Sequence, residues 1–129
     1  MSDLFNPELY VSDVSVYYGS KCAVQNVSFN IHPGQLTAII GNNGCGKTSL
    51  ISAVMNLVKH SGKCMLGELH LESMSVRKRA GMISYIPQRT GISISMTVRE
   101  VCLLGFNPQL HMLESYNFNM RHRADKAID

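Results

Sequence analysis

The alternation of apolar and polar positions divides this chain into short elements. Residues 10–18 carry Val11, Val14 and Val16, and this β-branched content predicts a strand closed by a turn at Gly19-Ser20-Lys21. Residues 23–31 place Val27, Phe29 and Ile31 on one face and Ser28 and Asn30 on the other. This predicts a second strand, ended by Pro33-Gly34 and antiparallel to the first. The apolar run 36–40 reads as a short buried strand. Leu50, Ile51, Val54, Leu57 and Val58 recur at helical spacing, predicting a helix over 47–58 with Gly62 as its cap. Residues 63–71 read as a strand or hairpin arm. Arg77-Lys78-Arg79 reads as a solvated helix face, and 82–86 as another short strand ended by Pro87. Thr97-Val98-Arg99-Glu100 has the form of a capping box, opening a helix to about residue 104 that Gly105 and Pro108 break. Beyond Glu114 the chain is polar, with room for a terminal helix.

Between the strand 36–40 and the helix at 47 lies Gly41-Asn42-Asn43-Gly44-Cys45-Gly46-Lys47-Thr48, followed by Ser49. It matches the phosphate-loop pattern G-x-x-x-x-G-K-[ST] in full, and in the strand–loop–helix setting that the pattern requires. Glycines at 41, 44 and 46 let the backbone turn tightly and approach a phosphate with no Cβ in the way. The backbone N–H groups then converge on the anion at a helix N-terminus, where the helix dipole also favours negative charge. Lys47 is placed to reach the β- and γ-phosphates, and the Thr48 hydroxyl to take a position on Mg²⁺. The competing reading is a Gly-rich turn before an ordinary helix.

Length and charge narrow the classes. The 129 residues make one domain or a piece of one, and 45% hydrophobic against 16% charged content suits a globular core. A net charge of +3 is too mild to argue for nucleic acid or an electrostatic membrane anchor. No apolar run approaches a membrane span and no signal-peptide layout opens the chain, so direct membrane insertion is not expected and a cytoplasmic location is. Cys22, Cys45, Cys64 and Cys102 form no C-x-x-C pair, and the histidines at 32, 60, 70, 111 and 122 show no metal-ligand spacing. Cys45 stands apart: it lies inside the phosphate loop, near Lys47 and a helix N-terminus, where a thiolate would be stabilised.

Tyr18-Gly19, Val27-Ser28-Phe29, Pro33-Gly34, the run from Ile39 through Leu50, Ser61-Gly62, and Tyr85-Ile86-Pro87-Gln88 stand in the order of an ABC-type ATPase domain, which the chain resembles from about Leu9 to about Pro108. The resemblance implies an α/β P-loop NTPase fold, with an antiparallel β subdomain plus a partial parallel core sheet and helices. Along 1–129 it puts the phosphate loop at 41–48, a Q-loop around Gln88, and the start of a helical subdomain at about 96–129. It implies ATP and Mg²⁺ as ligands. Tyr18 resembles the family's adenine-stacking aromatic, with Tyr17 a rival for the role. Gln88 resembles the Q-loop glutamine, which touches Mg²⁺ and the attacking water and links the site to a transmembrane partner. Lys47 and Gln88 are the residues the resemblance makes catalytic.

The implied partners are a transmembrane permease subunit and a second ATPase subunit, on the inner face of the cell membrane, with no nucleic acid. Met96 to Glu100 with Leu103 to Pro108 is similar to importers of iron–siderophore, haem or cobalamin type. The family's signature Leu-Ser-Gly-Gly-Gln segment, its Asp-Glu strand end and its switch histidine have no counterpart in these residues. The expectation is therefore the N-terminal portion of such a domain, unable alone to hydrolyse ATP. The alternatives are a catalytically incomplete nucleotide-binding fragment and a soluble non-transport ABC-type ATPase. A GTPase is disfavoured, for want of Asp-x-x-Gly and Asn/Thr-Lys-x-Asp motifs.

Overall fold

A computed structural model describes residues 7–87, 95–111 and 113–128. The chain divides into two compact units, Met1–Ser75 and Val76–Asp129. The first is built on a four-stranded antiparallel sheet in the order β2-β1-β3-β4, from β1 (Leu9–Tyr18), β2 (Lys21–Ile31), β3 (Ser61–Leu66) and β4 (Leu69–His70). The expected β1–β2 hairpin is present, and the 63–71 arm is the β3–β4 hairpin. Both β1 ladders shift register around Asp13, whose φ of 53° is left-handed. The shift is held by hydrogen bonds: the Asp13 amide donates to Ser28 Oγ at 2.8 Å, and buried Ser15 accepts from the Asn26 amide at 2.8 Å. Such bulges bend a strand and increase its twist.

The core of this unit sits where α1 (Lys47–Val54) packs on β1 and β2. Val11, Val14, Val16 and Val24 from the sheet and Leu50, Ala53 and Val54 from the helix are buried together with Cys64 and Leu71. The helix is shorter than the periodicity predicts. It ends in a Schellman arrangement: Asn56 takes φ 49°, its amide donates to Ala53 O at 2.8 Å, and the Leu57 amide donates to Ser52 O at 2.8 Å. Gly62 is no helix cap. It lies in β3 with φ 87°, and a Cβ there would come within 2.4 Å of Ser12 O and 2.5 Å of Asp13 O, so the glycine makes room for the bulge in β1.

The parallel part of the expected sheet is not formed among the described residues. Neither 36–40 nor 82–86 is a strand. Leu36 is fully exposed and Ile40 is 92% exposed. Apolar content alone does not make a strand, because a strand exists only through the neighbour it pairs with.

The second unit is helical: α2 (Val76–Ala80), α3 (Val98–Leu104), a 3-10 turn at Asn107–Gln109, and α4 (Phe118–Lys126). The Thr97–Glu100 capping box is present with both of its reciprocal bonds. The Arg99 guanidinium clamps Asp125 at 2.5 and 3.0 Å, joining α3 to α4. The basic run in α2 is not wholly solvated. Arg77 donates from Nε to Pro108 O at 2.9 Å and also to Leu110 O, and Arg79 is buried. Among the described residues no helix is long and apolar enough to cross a membrane.

Candidate phosphate-binding site

The loop 41–48 crosses from residues 39–40 into the first turn of α1. Gly44 and Gly46 take φ of 81° and 98°, the left-handed conformations that glycine adopts without penalty. Gly46 is fixed from behind: a Cβ on it would stand 2.2 Å from Ala23 O, so the loop rests against the backbone of β2. At Gly41 a Cβ would meet Cys45 Sγ at 2.7 Å, so the mouth of the loop also closes around an absent side chain.

The start of α1 has no side-chain cap. Within the loop, Cys45 N–H donates to Asn42 O at 3.3 Å, and the first helical bond runs from Leu50 N–H to Gly46 O at 2.9 Å. Among the described residues the amides of Gly44, Gly46, Lys47, Thr48 and Ser49 therefore have no backbone carbonyl to donate to. Helix N-termini leave such donors open until a cap, water or anion satisfies them. An exposed helix start without a cap, preceded by two left-handed glycines, has the form of a phosphate cradle.

Lys47 lies at the head of α1 and folds back over the loop. Its Nζ donates to Gly41 O at 2.7 Å and Asn42 O at 2.8 Å, with Cys45 Sγ at 3.8 Å. An ammonium has three protons: two are held by loop carbonyls, and the third is spent on Cys45 Sγ, a weak acceptor that an anion can displace. Thr48 is exposed on the first turn, and its hydroxyl has no hydrogen-bond partner among the described residues. A free hydroxyl beside a phosphate cradle suits a hard cation with oxygen ligands, such as Mg²⁺. The donor set thus fits both ligands.

Tyr18 ends β1 and its hydroxyl stands 3.4 Å from Ser49 Oγ, so the aromatic is brought to the first turn of α1. Half of it is exposed, leaving a ring face for a flat ligand. Tyr17, its rival, is paired across the hairpin with Cys22, whose hydrogen bond pushes the Tyr17 phenol up. Gln88 lies outside the described residues. The sequence reading missed the part played by β2. Ala23, Val24 and Val27 join Ile39, Lys47 and Leu50 in lining a cleft of about 270 Å³ beside the loop. The only sequence signal for it was the strand prediction itself.

The ABC transporter family matches residues 24–129. Among curated proteins the chain is 34% identical over 102 residues to the manganese transport system ATP-binding protein MntB of Halalkalibacterium halodurans, covering 78% of this chain and 39% of that protein. It is 31% identical over 134 residues to the phosphate import ATP-binding protein PstB of Thermotoga maritima, covering 95% and 49%. It is 39% identical over 93 residues to the hemin import ATP-binding protein HmuV of Mesorhizobium japonicum, covering 72% and 35%. The chain thus spans less than half the length of each of these relatives. The family match runs through the phosphate loop and on to the end of the chain, and with these relatives it shows that the chain belongs to the ABC transporter family.

Proposed function

We propose that these residues hold Mg-ATP and serve in the ATP-binding subunit of an ABC importer. The observation that carries this reading is the uncapped start of α1, with five amides between Gly44 and Ser49 open among the described residues and the Lys47 ammonium across the loop mouth. The amides receive the β- and γ-phosphate oxygens, the Lys47 ammonium exchanges its weak contact with Cys45 Sγ for one of them, and the Thr48 hydroxyl joins the cation's ligands. Bound Mg²⁺ neutralises charge on the phosphates. Tyr18 offers its exposed face to the adenine. Gln88 follows as the residue that touches the cation and the attacking water and reports to a permease.

In this reading the subunit works on the inner face of the cell membrane, with a transmembrane permease and a second ATPase subunit as partners. Hydrolysis of ATP drives import. Iron–siderophore, haem or cobalamin is the favoured cargo. Hemin import proteins among the relatives support it, while manganese and phosphate proteins of similar identity stand beside them.

Calorimetric titration with Mg-ATP tests the site. Lys47→Ala removes a charged donor, worth about 1.5–3 kcal/mol, so affinity should fall by roughly ten- to a hundredfold. Unchanged affinity would place nucleotide binding elsewhere. Tyr18→Ala should weaken binding of ATP, and Tyr17→Ala should not.

A further inference from the structure

Outside the phosphate loop, three residues of different ligand chemistry converge in the first unit. His60 leads into β3, Cys64 lies within β3, and Glu72 sits in the 3-10 turn Leu71–Ser73 after β4. One ring nitrogen, the Cys64 Sγ and one carboxylate oxygen lie within 4.8 Å of one another. They are 4 and 8 residues apart along the chain, and it is the β3–β4 hairpin that gathers them.

Their hydrogen bonding leaves a gap. His60 Nδ1 stands 3.2 Å from Val58 O, and because a carbonyl oxygen only accepts, Nδ1 carries the proton. In the neutral ring Nε2 is then a lone pair, and it faces Glu72 Oε1 at 3.3 Å. That oxygen already accepts from the Cys64 amide at 2.6 Å. Two acceptors do not bond each other, so either a second ring proton or a cation belongs between them. The His60 side chain is only 3% exposed and Cys64 is buried, while Glu72 is 32% exposed and opens the cluster to water.

We propose that His60, Cys64 and Glu72 form a Zn²⁺ site, with water as the fourth ligand. Thiolate, imidazole and carboxylate together are a donor set for zinc; Mg²⁺ and Mn²⁺ prefer oxygen ligands. The Nδ1–H bond to a backbone carbonyl fixes the ring as it does for ligating histidines generally, and leaves Nε2 for the metal. A dication with one thiolate and one carboxylate is neutral overall, which suits a mostly buried place. On binding, the Cys64 thiol gives its proton to solvent and the sulfur pair goes to zinc. Tetrahedral zinc places its ligand atoms about 3.4–3.6 Å apart. His60 Nε2 and Glu72 Oε1 already stand at 3.3 Å, so the closing, of about 1 Å at most, is between this pair and Cys64 Sγ.

The test uses the whole 129-residue chain with the metal alone. Competition against a chromophoric chelator should show one tightly held Zn²⁺. Substitution by Co²⁺ should give a tetrahedral d–d spectrum and a thiolate-to-cobalt charge-transfer band. Cys64→Ala and His60→Ala should abolish the band, Glu72→Gln should weaken it, and Cys22→Ser should leave it intact. X-ray absorption at the zinc edge of the unmutated chain should report a single sulfur ligand. This measurement stands even where a variant fails to fold. No zinc held, no sulfur at the metal, or a band that survives Cys64→Ala would overturn the proposal and leave a protonated His60 between Val58 and Glu72.

Discussion

Gly46 rests its bare Cα against the Ala23 carbonyl, so the backbone of β2 sets the position of the phosphate loop. A Cβ at Gly46 would lie 2.2 Å from Ala23 O and 3.2 Å from Val24 Cγ2, at a φ of 98° that side chains resist. Gly44 is also left-handed, at 81°, but a Cβ there meets nothing within 4 Å. The two positions therefore separate steric from conformational demand. Gly44→Ala should cost about 1–2 kcal/mol, the strain of a left-handed alanine. Gly46→Ala should cost that plus about 1–3 kcal/mol for displacing β2 or the loop, and should weaken ATP binding with it. Thermal unfolding of both variants checks the order. Equal losses would mean that the contact with Ala23 does not hold the loop.

Cys45 offers a second probe of the same loop. Its Sγ lies 3.8 Å from Lys47 Nζ and is exposed, as is Cys22, whereas Cys64 is buried. Mg-ATP in the cradle should shield Cys45 from an alkylating reagent and leave Cys22 untouched. Cys64 should resist with or without nucleotide, since burial pushes its thiol up to about 11 and withholds the reactive thiolate. Mass spectrometry after timed labelling reads all three. Equal labelling of Cys45 in both conditions would place the nucleotide away from this sulfur.

What was legible in the sequence was local. Gly-Lys-Thr at a strand-like run, the Thr97–Glu100 box and the β-branched alternation of β1 each encode their own conformation within a few residues. That 36–40 and 82–86 form no strand was not legible, because apolar residues specify burial and leave the neighbour a strand needs unspecified. The end of α1 was missed for a related reason. Leu57 and Val58 continue the helical period, but Asn56 takes the left-handed conformation and stops the helix. Gly62 was assigned to that stop. It serves instead the bulge across β3 from it, at Ser12 and Asp13, a demand made by residues about fifty positions earlier. The His60–Cys64–Glu72 group was hidden because its spacing matches no metal motif, and a hairpin had to fold before the three could meet.

The helix α3 should be acid-sensitive at its start. The Thr97 amide and hydroxyl donate to Glu100 Oε2 at 2.7 and 2.8 Å, and the backbone bond foremost holds the Glu100 carboxyl below its ordinary 4.5. The Arg99 bond does the same for Asp125. A carboxyl whose folded pKa is lowered contributes stability that is present above the unfolded value and lost as pH falls through the folded one. The Val101 amide, which donates to Thr97 O at 3.1 Å, should accordingly exchange faster, after correction for intrinsic rates, as pH drops below about 4.5. Glu100→Gln should flatten that dependence. A wild-type profile without the acid rise would show that the box contributes nothing measurable.

Turnover is the sharpest test, because all but one of the described carboxylates are occupied. Glu8 pairs with His32, Asp13 with the Ser12 and Ser28 hydroxyls, and Glu72 with the Cys64 amide and His60. Glu100 closes its capping box, Glu114 accepts from the His111 amide, and Asp125 holds Arg99. Glu68 is left, in the turn between β3 and β4. Within the first unit, the bonds of Glu8, Asp13 and Glu72 hold them to residues other than those of the loop. A positioned base contributes roughly 10²–10⁴-fold, and preorganised charge at the γ-phosphate a similar factor. A polypeptide of these 129 residues should therefore bind ATP and leave it unhydrolysed above background, with turnover appearing only when a carboxylate and a facing loop are supplied from beyond them. Phosphate release from the purified chain measures this. Hydrolysis that disappears in Lys47→Ala, and so cannot be contamination, would mean that one of these carboxylates reaches the water; Glu68→Gln is then the first variant to make.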